Sequence, residues 1–583
     1  MARKYSMQIR KISISHFRGI RNLEWCPDVA LCFVIGPGDS GKSTILDAIE
    51  AALSSRWFSF VESDFFGADT VQPIQIEVTV GELPDVLMSD ERLGLFIRGW
   101  TGTEIHDEPE DEDEPVITVR LSVDATMEPV WEAYCDRSET SRYLSNRERS
   151  HFGLTRLNGD EARHTSWAQG SGLSKMTDDN GNAAERLAAA YKAAKNSAGL
   201  DKIQTLMDAA GYAEDEAKAL GAYIEEGYRP GLELARGGFS TSSITLHDAD
   251  VPLRLAGLGS RRLATLGIQN AAIYAGAIIL VDEIEHGLEP HRIIGALAQL
   301  KKRQSEARKV GRPVGQLFLT THSDVALSEA AASNVVAVRR DKTTKVVTVH
   351  EPGSSAEFEK LMKKTPRALF ARRILLCEGV TEQGLLLGLR ELWPAEHDGA
   401  PVEQMGSAIA DGNGSEAPNL AVALRSMGYS VAIFRDSDRK IPADKLAAFT
   451  AAGLPAIEVF EYESEMHTEL AVFFDADDAT VQELLDLART KKSADSVLAS
   501  LAKVMPNIAK EVFSLPFSAW QAETNLDTRI LRANLGQAAS KQSWFKELST
   551  GRELAPIIWR IARAAPQSEL ARCLKKVEEW LYA

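Results

Sequence analysis

Over "MQIRKISISHF" (7–17) apolar and polar residues alternate, which predicts a strand with one buried face. "ALCFVIG" (30–36) is a continuous apolar run closed by glycine, the pattern of a strand buried on both faces. "GKSTILDAIEAAL" (41–53) then repeats its apolar residues at helical spacing, and "PIQIEVTV" (73–80) returns to period two. Between about 180 and 235 the chain is rich in Ala, Glu and Lys, as in "AAERLAAAYKAAKNSAGL", which predicts helix with narrow apolar stripes. Buried strands resume with "AGAIILVDE" (275–283) and "VGQLFLTTHS" (314–323). A second strand-and-helix series follows in "RRILLCEGVTEQGLLLGL" (372–389), "YSVAIFRDSDRK" (429–440) and "PAIEVFEYESEMHTEL" (455–470).

This order predicts an α/β chain of more than one domain. One α/β domain is expected in two pieces, 1–115 and 241–360, around a mainly helical insertion at 116–240. A second α/β unit with helical C-terminal elements spans 366–583. A length of 583 residues, too great for one core, agrees with that division. An apolar fraction of 44% and a charged fraction of 26% are those of an ordinary globular protein. No apolar run nears the roughly 20 residues that span a bilayer, so no membrane partner is expected. Five cysteines without a C-x-x-C pair, and no secretory leader, point to buried thiols in the cytoplasm. The net charge of −17 argues against non-specific coating of nucleic acid. It leaves room for DNA held in a local groove or through divalent metal. Part of the excess lies in "HDEPEDEDEP" (106–115), which reads as a solvated acidic loop.

"GPGDSGKS" (36–43) fits G-x-x-x-x-G-K-[ST] between a predicted strand and a predicted helix, the setting that motif needs. Gly36, Gly38, Asp39, Ser40 and Gly41 would turn backbone amides toward phosphate oxygens at a helix N-terminus. Lys42 would reach the β- and γ-phosphates of ATP, Ser43 would complete a Mg²⁺ shell, and Thr44 follows in the first turn. "AIILVDE" delivers Asp282 as an oxygen ligand for that Mg²⁺ and Glu283 as a base or water-orienting group. "LFLTTHS" delivers His322, suited to sensing a γ-phosphate. With "ISISHFRGIRNLEW" at the N-terminus, these motifs resemble the ABC-type ATPases of the RecF and structural-maintenance group. The resemblance implies a split P-loop ATPase fold whose heads sandwich nucleotide as a homodimer. Its signature loop would be "LAGLGSRRLATL" (255–266), with Gly259 and Ser260 at the nucleotide. Arg261 and Arg262 depart from the usual pattern there, which bears on hydrolysis more than on binding.

The later strands end in acids. Glu378 closes one strand and Glu382 opens the next helix; Asp436 and Asp438 close another strand on the same side of the chain. Glu465 and Glu469 lie four apart at an expected helix start, hence on one face. Acids at strand ends are either solvated or gathered around hard divalent cations, and this many together favour the second. The order E-G-x-x-E then D-x-D resembles the Toprim domain. An ABC-type ATPase joined to a Toprim domain resembles the OLD (overcoming lysogenization defect) nucleases, class 2-like. "SKQSWFKELSTGRELAPII" (540–558) resembles the segment that closes their Toprim region, so Lys546 inherits a place in the nuclease site; otherwise it is a surface lysine.

The resemblance implies a metal-dependent DNA endonuclease with ATP and Mg²⁺ in one half and two divalent metals, Mg²⁺, Mn²⁺ or Ca²⁺, in the other. It also implies a role in anti-phage defence or DNA processing, with a UvrD-like helicase as a partner. The alternative is a nucleotide-switched DNA clamp that cuts nothing. The insertion lacks the long heptad repeat of a clamp arm, and no zinc-ligand cluster supports a primase.

Overall fold

The computed structural model describes residues 7–89, 93–138, 142–157, 257–273, 277–309, 314–341, 343–352, 356–437, 439–451 and 454–583, with short stretches between 158 and 256. Three larger sheets organise these residues, beside a two-stranded ribbon pairing His247–Asp248 with Val251–Pro252. The first is antiparallel. It contains β1 (Gln8–Phe17), β2 (Ile20–Trp25), β4 (Ile74–Gly81), β5 (Arg98–Trp100), β6 (Ile105–His106), β7 (Glu114–Val123), β8 (Pro129–Tyr134) and β9 (Arg142–Tyr143). β1, with period-two burial, pairs with β2 and β4, and packs its apolar face near α1 (Lys42–Leu53).

The second sheet is built around β3 (Leu31–Ile35). Its order is β10 (Thr155–Leu157), β11 (Ile279–Val281), β12 (Leu317–Thr320), β3, β13 (Val335–Arg340) and β14 (Val347–His350), parallel except for the last pair. Every residue of β3 is buried, as a strand covered on both faces must be. Cys32 and Val34 join the core with the first sheet; Leu31, Phe33 and Ile35 join the core on the other side.

That second core continues into the third sheet, which is parallel in the order β16 (Ser407–Asp411), β15 (Arg373–Cys377), β17 (Ser430–Phe434), β18 (Glu458–Phe460). Ile374 and Leu376 face the ATPase-like half, while Leu375 and Cys377 face the C-terminal helices. Parallel register brings the C-terminal ends of β15 and β17 side by side, with Cys377 opposite Phe434. The acids that follow these strands therefore start as neighbours.

Strand structure runs on through residue 157, past the point at 116 where a helical insertion is expected to begin. β7 pairs antiparallel with β4, and β10 edges the second sheet. The helical expectation at 180–235 falls almost wholly outside the described residues. Among the described residues no helix is long and apolar enough to cross a membrane.

Candidate functional site

The glycine-rich loop turns as its residues require. Gly36 has φ 152°, and a Cβ there would sit 2.5 Å from the Val338 carbonyl, so no side chain fits. Gly41, at φ 101°, starts α1. Lys42 is buried and donates from Nζ to the carbonyls of Gly36 and Pro37, both at 3.0 Å. Burial pushes its ammonium down to about 8, against the pull of Asp282. Asp282 follows β11 and accepts from Ser43 Oγ at 3.1 Å, Thr320 Oγ1 at 2.6 Å and Arg156 Nη2 at 3.1 Å. Ser40 is buried, while Gly38 and Asp39 are exposed and Thr44 half-buried.

Glu283 presents an exposed carboxylate from a left-handed backbone, φ 48°. Two contacts hold that conformation. Its amide donates to Thr320 Oγ1 at 2.8 Å, and its carbonyl accepts from Arg262 Nη2 at 2.9 Å. The same Arg262 nitrogen reaches the Asp282 carbonyl at 2.6 Å, and the side chain is fully buried. His322 is exposed; desolvation and then the charge of Lys42 lower its pKa. Gly259 and Ser260 open α2 (Leu258–Ile273) elsewhere: Gly259 packs on the Gly287 carbonyl and Arg292, and Ser260 is exposed.

Sequence reasoning named Lys42, Ser43, Asp282, Glu283 and His322, which the fold gathers at the ends of β3, β11 and β12. It missed Arg156 and Thr320. Arg156 lies on β10, beyond the expected start of the insertion, and also pairs with Asp47 at 2.5 Å. Thr320 is legible in "LFLTTHS" as the last residue of the strand.

In the third sheet, Glu378 follows β15 and its carboxylate accepts from Arg435 Nε at 3.2 Å. Gly379 opens α3 (Val380–Leu389), and a Cβ there would collide with the Glu382 carboxylate, so glycine makes room for the acid. Glu382 is buried; burial first, and then the charges of Asp436 and Glu469, push its carboxyl up to about 8. Asp436, after β17, is pushed up to about 6 by burial and by Glu469. Thr468 donates to Asp436 Oδ1 from its amide at 2.8 Å and its hydroxyl at 3.0 Å. Glu469 is buried in the first turn of α4 (Thr468–Asp475).

Two expectations change here. His467 caps α4, accepting on Nδ1 from the Leu470 amide at 3.1 Å, so the helix starts after Glu465. Glu465 is exposed in the preceding bend, and the shared helix face expected for Glu465 and Glu469 does not form. The same His467 Nδ1 lies 3.3 Å from the Glu469 carboxylate. Lys546 is exposed in the turn between α5 (Thr528–Lys541) and α6 (Leu548–Ala564), not on a helix. Its neighbour Phe545 is buried, and the Phe545 carbonyl accepts from Thr381 Oγ1 at 3.4 Å, next to Glu382. Asp438 lies outside the described residues.

Among the described residues no three acidic, histidine or cysteine side chains already converge as a metal cage. The charges of Asp436 and Glu469 nevertheless reach Glu382, and that of Glu469 reaches Asp436, raising the pKa of each. Buried all-oxygen donors that repel one another suit a hard divalent cation, whose charge replaces repulsion with attraction.

Residues 142–328 match the family described as "AAA domain, putative AbiEii toxin, Type IV TA system". Residues 369–438 match the family described as "Overcoming lysogenization defect protein-like, TOPRIM domain". No curated protein matches the chain. Similar solved structures include the SMC head bound to the C-winged helix domain of ScpA, at 17% identity and TM-score 0.32, covering 58% of this chain and 97% of that one. The SMC head domain from Thermotoga maritima aligns at 14% identity and TM-score 0.28, covering 59% and 98%. The recombination mediator RecF with ATP aligns at 13% identity and TM-score 0.31, covering 55% and 95%. An ATPase-domain match followed by an OLD-like Toprim match fits an ATPase fused to a Toprim domain of the OLD type.

Proposed function

We propose that the protein is a divalent-metal-dependent DNA endonuclease whose ATPase half regulates or assembles the cutter. The observation that carries this reading is the trio Glu382, Asp436 and Glu469. Two buried carboxylates, Glu382 and Glu469, and the half-buried Asp436 of a Toprim domain crowd one another beside the parallel strand ends. With Glu378 and Asp438 they are the proposed holders of Mg²⁺, Mn²⁺ or Ca²⁺. Two such ions, when bound, supply an activated water and stabilise the leaving oxygen of a phosphodiester. The chain's own share is to orient. Thr468 fixes one oxygen of Asp436, Gly379 gives Glu382 its space, and α3 and α4 hold Glu382 and Glu469 in their first turns. Lys546 is proposed to meet developing phosphoryl charge from its turn beside Phe545.

In the ATPase half, Lys42 is proposed to hold the β- and γ-phosphates and Ser43 with Asp282 the Mg²⁺. Glu283 would orient water, and His322 would sense the γ-phosphate. Gly259 and Ser260, at the start of α2, are proposed to serve the nucleotide of a second copy in a homodimer. A cytoplasmic role in phage defence, with a UvrD-like helicase, extends the same reading. Cleavage of supercoiled plasmid across the three metals, with and without ATP, tests it. Asp436→Ala should abolish metal-dependent cleavage, and cutting by that variant, or cutting without divalent metal, would reject the reading.

A further inference from the structure

Arg435 belongs to none of the motifs above, yet it lies inside the acid cluster with 7% of its side chain exposed. Its Nε donates to Glu378 Oε2 at 3.2 Å, its Nη1 pairs with Glu461 at 3.4 Å, and its Nη2 donates to the Arg439 carbonyl at 2.6 Å. Its backbone amide is fixed on the Phe460 carbonyl of β18 at 3.0 Å. One planar guanidinium therefore ties the first strand-end glutamate to the turn that follows Asp436. The partners of Asp436 are different: Thr468 by hydrogen bond, with Glu469 and His467 beside it.

We propose that Arg435 is a positioning residue of the nuclease centre. It holds Glu378 and the turn after Asp436 as one unit, and it sets a fixed positive charge against the ion-binding carboxylates. The inference rests on the metal-dependent reading above. A guanidinium fork makes three directed contacts at once, which the point charge of a lysine cannot copy. Its charge also opposes a nearby dication, so the site gives up metal affinity for a fixed arrangement of its acids. A residue that merely propped up the fold would act in the opposite sense, since its loss would weaken metal binding.

The test compares wild type, Arg435→Met and Arg435→Lys in the full chain. Mn²⁺ binding is read by electron paramagnetic resonance, plasmid cleavage is read at saturating Mn²⁺, and thermal unfolding checks folding. Arg435→Met should bind Mn²⁺ about tenfold tighter because a like charge is gone. It should also cut roughly 10–100-fold more slowly because Glu378 and the turn lose their anchor. Arg435→Lys should keep affinity within about threefold and still cut at least about tenfold more slowly. Unchanged or weaker Mn²⁺ binding in a folded Arg435→Met protein would overturn the proposal, whether or not DNA is cut. Should that variant fail to fold, Arg435→Lys decides: full cutting rejects the positioning role, and slow cutting at retained affinity supports it. Tighter Mn²⁺ binding with no cleavage even by wild type would keep the role of Arg435 and remove the nuclease reading instead.

Discussion

Arg339 lays its guanidinium over the ring of Tyr429, 3.5 Å from the ring centroid, and so joins the ATPase half to the Toprim half. Arg339 sits on β13, whose Val338 carbonyl presses on Gly36 of the phosphate loop. Tyr429 immediately precedes β17, the strand that leads to Asp436 two residues past its end. Arg339 also donates to the carbonyls of Met427 and Ala371, and the Tyr429 hydroxyl donates to Leu369 at 2.6 Å. The buried stack is therefore a short route between the two halves.

Arg339→Ala should loosen that route. We expect any effect of ATP on cleavage to shrink to less than about twofold, while metal-dependent cleavage without ATP persists. Loss of the buried contacts should cost about 1–3 kcal/mol of stability. Cleavage rates with and without ATP, on wild type and variant, check this. A wild-type response to ATP would mean that the stack contributes packing alone.

The acid trio implies a pH dependence in the metal-free protein. The carboxyls of Glu382 and Asp436 are raised to about 8 and about 6, above the roughly 4 of an unfolded carboxyl. The folded state thus holds their protons more tightly than the unfolded state. Their contribution to stability is full below about pH 4 and is lost as pH rises through about 6 and then 8. In chelator, the melting temperature should fall across that window, and Glu382→Gln should flatten the fall. Mn²⁺ should raise the melting temperature more at pH 8 than at pH 6, since it competes with fewer protons. Thermal melts at several pH values, with chelator or Mn²⁺, read both effects.

Arg262 governs the other site. By holding the carbonyls of Asp282 and Glu283 it fixes the left-handed turn from which Glu283 is presented. Arg262→Met should slow ATP hydrolysis roughly 10–100-fold, the usual scale for a lost orienting partner. Nucleotide binding should stay within about threefold, because Lys42 and its loop keep their contacts. Equal losses in binding and hydrolysis would instead point to collapse of the whole loop.

How much of this was legible in the sequence differs by residue. The phosphate loop and its strand could be read because local chemistry fixes them: a glycine needing φ 152°, a buried apolar run and a helix start lie within twenty residues. Glu378, Glu382 and Asp436 could be read because strand ends in parallel register are neighbours. The helix face expected for Glu465 and Glu469 does not form because spacing gives a face without giving the helix start, and His467 sets that start by capping. Arg156 and Arg435 act on groups brought near by folding, so no local pattern announces them; Arg262 stands out in its loop, but its grip on the Asp282 and Glu283 carbonyls does not. Lys546 carries a motif resemblance, but its exposed turn supplies no contact that would separate a site lysine from a surface one.

The helix that carries Glu382 offers a last test, in which stability and metal binding are linked. α3 crosses α6 at two glycines: a Cβ on Gly384 would meet the Gly551 Cα at 2.9 Å and run into the Leu548 carbonyl. Backbone cannot give way as a flexible side chain can, so Gly384→Ala must push the helices apart. The cost should be about 1–3 kcal/mol, the range for overpacking a dense contact. Glu382 is two residues away, and Thr381 and Phe545 lie at the same crossing. The shift should therefore also weaken Mn²⁺ binding, by about tenfold if a ligand is displaced as a lost orienting partner would displace it. Ala555 touches Gly388 one turn further along, away from the acids. Gly388→Ala should destabilise to a similar extent and leave Mn²⁺ affinity within about threefold. Denaturant unfolding and Mn²⁺ titration of both variants separate the two effects. Equal loss of Mn²⁺ affinity in both would mean that the crossing acts on the whole helix and does not position Glu382 in particular.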